Sequence, residues 1–353
     1  MLFRGSTLDD ALYRVLKSLL VSRRAYSVVS TRKASRELVG ALIRIENPRA
    51  RMSIATVRGQ LFSCLGELFW YLSGSDDVDQ IAYYISKYKE ESDDGKTVRS
   101  AYGPRLFRMR GINQIDEVIK LLRMKPSSRR AVIQLYDAGD LRATKSPPCT
   151  CFLQFFIRGG QLHAFATMRS NDAFIGLPHD VFAFTMLQEI LAKELGLGLG
   201  TYSHAVGSLH LYAENEFDAR QYLDEGFQER VFMPPMPDGS AWHAIRELVD
   251  YERALRIEGC TAPAPSGLDE YWNDMGRLLA IYAAIRGRQL SKGSKISFLN
   301  RLRNEMSSSV FDFAIEKRAR RLRKPGVITQ AELFNRTNAG EINVTAASNA
   351  EST

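Results

Sequence analysis

Residues 146–180 read SPPCTCFLQFFIRGGQLHAFATMRSNDAFIGLPHD, and this stretch decides the fold. CFLQFFIR and QLHAFATMRS are rich in aromatic and β-branched residues, the composition of strands. Gly159 and Gly160 stand between them and predict a hairpin turn. DVFAFTMLQEILAKELG (180–196) is apolar on most helical faces and ends on glycine, which predicts a long buried helix. A hairpin leading into such a helix is the centre of an α+β domain.

Working outward, AVIQLYD (131–137) and TYSHAVGSLHLYAEN (201–215) add strands. Towards the N-terminus, helical spacing predicts a helix over 5–22, and a polar stretch follows over 22–37. LVGALIRIENPRAR (38–51) predicts a strand ending at Pro48, and 57–73 a strongly apolar helix holding Glu67 and Trp70. A glutamate on such a face is costly without a partner or a task. Residues 76–102 read as polar helix and loops, and 112–126 as an amphipathic helix stopped by Pro126. PPMPDGS (234–240) marks a boundary, with helices beyond it. The division expected is 1–235 for the α+β domain, 236–323 for a helical extension and 324–353 for a disordered polar tail.

The chain has 353 residues, 45% hydrophobic and 25% charged, and no apolar run long enough to span a bilayer. Its first residues carry Asp9–Asp10 and lack a small-residue cleavage site, so they read as an amphipathic helix rather than a signal peptide. Cys64, Cys149, Cys151 and Cys260 lack zinc-site spacing, so no metal is expected. Free thiols in a reducing cytoplasm are the expectation, with Cys149 and Cys151 facing one side of a strand. The net charge of +8 favours anionic partners. Much of the excess falls in RGRQLSKGSK (286–295) and EKRARRLRK (316–324), which read as solvated helix faces.

Two prolines stiffen the approach to Cys149 and fix where its thiol points. A nucleophilic cysteine needs nearby cations, and Arg129, Arg130 and Arg169 are candidates. Taken alone, SPPC is more often a strand start with a small buried cysteine.

The surrounding order changes that balance. SSRRAVIQLYD precedes the cysteine, MRSNDAFIGLPHD and SLHLYAEN follow it, and GELFWYL and AYGPR lie upstream. Together these resemble the thymidylate synthase family over roughly residues 30–215. The resemblance implies a central mixed β-sheet flanked by helices, with 1–235 as the catalytic domain and 236–323 added. It implies 5,10-methylenetetrahydrofolate as co-substrate and a pyrimidine nucleoside monophosphate as substrate. Cys149 matches the thiolate that attacks pyrimidine C6, making C5 nucleophilic. Arg169 and Ser170 match phosphate binders, and Arg32 the N-terminal phosphate arginine. Arg129 and Arg130 match a pair that reaches the other subunit's phosphate, which implies a homodimer with shared sites. Glu67 matches a glutamate that manages protons at the base, and Tyr102 a tyrosine near proton abstraction. His210 and Tyr212 match binders of the sugar 3′-hydroxyl, and Asp172 the aspartate at the folate pterin.

Four departures bear on the expectation. Asp180 stands where thymidylate synthases carry asparagine, whose amide matches uracil O4 and N3–H. Cytosine presents the opposite pattern, and aspartate here resembles the deoxycytidylate hydroxymethylases. Tyr88 falls where a folate-side tryptophan is usual, and a polar tail replaces the short apolar C-terminus. Both missing features serve the hydride transfer that completes a methyl group. Thr150 replaces the histidine usual after the nucleophile. Three readings follow. The first is 5-hydroxymethylation or methylation of a cytidylate, the second methylation of deoxyuridylate. The third is a catalytically silent relative that binds nucleotide or nucleic acid through its basic helices.

Overall fold

A computed structural model of the chain describes residues 1–29, 33–142 and 145–323; Arg32 and the expected tail lie outside the described residues. In chain order the elements are β1 (Leu2–Gly5), α1 (Leu8–Val21), β2 (Tyr26–Val29), β3 (Ala34–Ile45), α2 (Leu61–Leu72), α3 (Val78–Tyr84), α4 (Tyr88–Glu91), α5 (Tyr102–Phe107), α6 (Gln114–Met124), β4 (Val132–Gln134), β5 (Thr150–Arg158), β6 (Gln161–Asp172), α7 (Gly176–Glu194), β7 (Gly198–Tyr212), α8 (Glu216–Asp224), α9 (Trp242–Glu258), α10 (Glu270–Arg286), α11 (Lys292–Glu305) and α12 (Asp312–Arg323). The described residues up to Ile315 form one compact unit, and those from Glu316 belong to a second. The second is described only as far as Arg323, and there Arg320 pairs with Glu316 at 3.1 Å. Among the described residues no helix is long and apolar enough to cross a membrane.

The strands form one mixed sheet in the order β1-β3-β7-β6-β5-β4, with β2 also pairing β3. The β1–β3 and β6–β7 pairs are parallel and the others antiparallel. The β5–β6 hairpin turns on Gly159 and Gly160 at φ 57° and 72°, a left-handed backbone that glycine adopts without a Cβ penalty. The pairing of β5 with β6 slips between Thr150 and Phe152, and there Leu135 and Tyr136 both donate backbone N–H to Cys151 O. This bulge breaks the alternation of faces. Cys149 lines the main cavity; Cys151, outside that lining, meets Arg169, the residue whose guanidinium also approaches Cys149 Sγ.

Helix α7 packs on β6 and β7, and α2 packs on α7. Every residue of α7 from Leu177 to Ala192 is buried, as is every residue of α2 except Ser63. A helix apolar on all faces needs such a two-sided setting, and each large side chain so buried contributes about 1.5–3 kcal/mol. The N-terminus differs from the expected helix over 5–22. Leu2–Gly5 pairs with β3 as a strand, and α1 begins at Leu8 because Thr7 caps it by accepting from Asp10 N at 3.0 Å. The stretch 22–37 contains β2 and the start of β3, antiparallel across Tyr26 and Glu37.

The helices after residue 236 meet the helix that carries Glu67. Both α9 and α10 pack on α2. Glu252 of α9 is buried and accepts from Tyr84 OH (2.9 Å), Gln80 Nε2 (3.3 Å) and Arg256 Nε (2.8 Å). Tyr282 of α10 donates to Tyr83 O at 3.0 Å and stacks on Phe62 of α2.

Candidate active site

The ends of β6 and β7, the start of β5, the first turn of α7 and one face of α2 enclose a cavity of about 550 Å³, a size usual for small-ligand sites. Cys149, Glu67, Tyr88, Tyr102, Arg169, Ser170, Asp172, Asp180, His210 and Tyr212 all line it. Arg129 and Arg130 do not; both are exposed between α6 and β4. Arg32 lies outside the described residues.

At the thiol end, Arg169 donates Nε to Pro148 O at 2.8 Å and one terminal nitrogen to Pro147 O at 2.9 Å. That nitrogen lies 3.7 Å from Cys149 Sγ, so the two proline carbonyls hold a cation against the sulfur. A cation there stabilises the thiolate, the reactive form of a cysteine. Next to it, Tyr102 OH accepts from Thr150 N (3.0 Å) and Thr150 Oγ1 (2.8 Å). Burial raises the phenol well above its usual range, so Tyr102 stays neutral and its own proton remains to donate.

Glu67 sits on the opposite wall. Its Oε1 accepts from Tyr88 OH at 2.6 Å, and Tyr71 is a second hydroxyl partner. Burial pushes its carboxyl up to about 7, which these hydroxyl bonds only partly counter. A carboxyl poised there can hold or release a proton near neutral pH. His179 Nδ1 lies 3.7 Å from Glu67 Oε2, while Nε2 meets Ser63 Oγ at 2.9 Å. Ser63 donates its own proton to Gln60 O, so His179 Nε2 is the donor to it. Burial brings His179 down to about 3, so it is neutral and forms no ion pair with Glu67.

Asp180 closes the cavity floor. Its Oδ2 accepts from Asn171 Nδ2 at 2.7 Å. Asn171 Oδ1 in turn meets His204 Nε2 at 3.2 Å, and His204 Nδ1 meets Tyr202 OH at 2.7 Å. With Asn171 donating to the carboxyl, its Oδ1 must accept, so Nε2 carries the histidine proton and the tyrosine donates to Nδ1. All four residues are buried. Burial first, then the charge of Glu67, raise Asp180 well above the carboxylate range, and the Asn171 bond only partly offsets this. This setting biases Asp180 towards its protonated form.

Asp172, at the end of β6, accepts from Phe174 N (2.9 Å) and Ile175 N (3.3 Å) through Oδ1, which leaves Oδ2 to the cavity. Trp70 also lines the cavity, and its indole N–H is buried without an acceptor. His210 and Tyr212 pack edge to face at 4.8 Å. Sequence reasoning missed Asn171, His179 and His204. The first two lie inside the motif that carried the resemblance, where they served only as spacing. The third shows its meaning only when β6 and β7 pair, which sets Ala166 opposite His204. Among the described residues no group of histidine, cysteine, aspartate or glutamate side chains could hold a metal ion.

A profile of the family described as thymidylate synthase matches residues 16–232 of this chain. Among solved structures, that of thymidylate synthase from T4 phage matches with a TM-score of 0.55 and 24% identity, covering 64% of this chain and 85% of that one. At that identity the likeness speaks for the fold.

Proposed function

This chain belongs to the thymidylate synthase family, and from that premise we propose that it hydroxymethylates or methylates C5 of a cytidine-type nucleoside monophosphate. Membership makes it a folate-dependent one-carbon transferase acting on C5 of a pyrimidine nucleotide, with 5,10-methylenetetrahydrofolate as co-substrate. When bound, the folate supplies the one-carbon unit. The free Asp172 oxygen suits the N–H edge of a pterin. Tyr88 adds an aromatic edge beside Trp70, 5.3 Å between centroids.

The residues divide the remaining work. Arg169 and Ser170 take the phosphate, and Cys149 adds to C6 so that C5 becomes the nucleophile. Tyr102 and Glu67 hold protons at the base, and His210 and Tyr212 receive the sugar. Arg32, outside the described residues, completes the phosphate set.

The base assignment rests on one observation, Asp180 buried at the cavity and anchored by Asn171 through Oδ2, a setting that favours its protonated form. A carboxylic acid presents one donor and one acceptor, so it can face cytosine N3 and the 4-amino group. It can also pass its proton to N3, which is basic in cytosine, and a protonated ring draws electrons from C6. Uracil N3 already carries hydrogen and needs no such proton. The same donor–acceptor pair fits uracil geometrically, and this favours deoxyuridylate methylation as the second reading.

The decisive experiment incubates purified protein with methylenetetrahydrofolate and CMP, dCMP, UMP or dUMP, and identifies products by mass spectrometry. A cytidylate carrying a new one-carbon group supports the proposal; turnover of dUMP with inert cytidylates sinks it. Absorbance of dihydrofolate separates methylation, which oxidises the folate, from hydroxymethylation, which does not.

We further propose a homodimer in which Arg129 and Arg130 reach the partner's phosphate site, supported by their exposure outside the cavity of their own chain. Residues 1–235 are the proposed catalytic domain and 236–323 its helical extension.

A further inference from the structure

Glu37 lines the cavity, and the roles above give it no task. It lies on β3 directly opposite His210 of β7, while Ser35 lies opposite Tyr212. His210 is also opposite Asp172 of β6, so Glu37, His210 and Asp172 form one row across three strands. Ser208, two residues before His210, donates its hydroxyl to Glu37 Oε1. Glu37 Oε2 accepts no hydrogen bond from any described residue.

A bound nucleotide runs from phosphate at Arg169 and Ser170 to base edge at Asp180. Ser208, His210, Tyr212 and Glu37 line the same cavity, and the register sets Glu37 directly across from His210, one of the two residues given the sugar. A carboxylate there repels the phosphate and loses hydration when the substrate covers it, costs that need a hydroxyl donor in return. His210 and Tyr212 suffice for one sugar hydroxyl. A vicinal diol supplies a second donor, and a carboxylate is the acceptor that proteins use for a ribose 2′-hydroxyl at dinucleotide sites.

We propose that Glu37 accepts the 2′-hydroxyl of the sugar, so that the substrate is a ribonucleoside rather than a deoxyribonucleoside monophosphate. Ser208 turns the carboxylate by engaging Oε1, and Oε2 faces the hydroxyl. This inference rests on the nucleotide reading of the site but not on the identity of the base.

The test measures kcat/KM for CMP, dCMP, UMP and dUMP with the wild-type protein, E37Q and E37A, together with equilibrium binding of the same four by calorimetry. Within whichever base is accepted, the wild type should favour the ribonucleotide by roughly 10- to 100-fold, as expected for a hydrogen bond to a charged group. E37A should bring that ratio close to one, and E37Q should keep part of it because the amide oxygen still accepts. Thermal melts establish that both variants fold. A wild-type preference for the deoxyribonucleotide overturns the proposal. So does an E37A variant that weakens both sugars equally, since Glu37 would then serve only to hold His210. If uridylates alone are accepted, the cytosine reading fails while the ribose-to-deoxyribose ratio still decides the role of Glu37. If none is turned over, the binding ratio decides it.

Discussion

The chemistry of the base turns on where single protons sit. Asp180→Asn keeps a donor and an acceptor but cannot give up a proton. It should lower turnover of cytidylates by about 100- to 1,000-fold and shift preference towards uridylates, read as the ratio of kcat/KM for the two bases; an unchanged ratio would remove Asp180 from base selection. Glu67→Gln should lower kcat by about 100-fold or more through loss of its proton. The same groups leave opposite marks on stability. Glu67 is raised from 4.5 to about 7, so between these values the folded state holds a proton that the unfolded chain has released. Its contribution is complete below pH 4.5 and is lost as pH rises through 7. His179 and His204 are lowered from 6.5 to about 3, so below pH 6.5 the unfolded chain takes up protons that the folded state refuses. Each costs stability as pH falls through that window. His179→Asn should therefore flatten the fall in Tm between pH 7 and 4.5, and Glu67→Gln should steepen it; parallel curves for all three proteins would contradict these assignments. The sequence made Cys149, Arg169 and Asp180 legible because each sits in a short motif whose order carries meaning. It hid the bonds from Tyr202 through His204 and Asn171 because they exist only once β6 and β7 are paired.

At the scale of elements, α2 carries Glu67 into the cavity and is itself held by the C-terminal helices. Gly66, beside Glu67, is required by close approach. A Cβ there would lie 2.1 Å from the Tyr84 ring on α3, so Gly66→Ala must displace a packed aromatic. Overpacking of that kind costs about 1–3 kcal/mol. Glu252 fastens α9 to α3 through Tyr84 and Gln80 and pairs with Arg256 on its own helix. Glu252→Ala leaves those donors without their acceptor, and breaking a buried ion pair costs about 3–5 kcal/mol. The expected outcome is a drop of several degrees in Tm within a single cooperative transition, because α9 and α10 share their core with α2. Two separate transitions in calorimetry would show instead that the helical extension unfolds by itself. The strands and α7 were legible from composition and from glycine punctuation. The start of α1 was not, since Thr7 and the pairing of β1 with β3 outweigh the helical spacing around Gly5. Nor was the bulge at Cys151, which two backbone donors on one carbonyl create.

For the whole molecule, the question is whether one chain makes a complete site. Arg169 makes the cavity positive where the phosphate is proposed to sit, and a doubly charged phosphate calls for more than one guanidinium. Arg129 and Arg130 are exposed and point to no partner within their own cavity. A two-fold assembly would let them serve the neighbouring site, since a two-fold axis repeats each contact reciprocally. Complementation tests this directly. Cys149→Ser protein and the Arg129→Ala/Arg130→Ala double variant should each be nearly inactive. After unfolding and refolding together, half of the dimers are mixed, and each mixed dimer pairs one intact thiol with intact arginines from its neighbour. Activity should then return to roughly a quarter of the wild-type value, because one of two sites is restored in half of the population. No recovery in a preparation shown by mass spectrometry to contain mixed dimers would confine each site to a single chain, and the two arginines would then belong to the solvated surface.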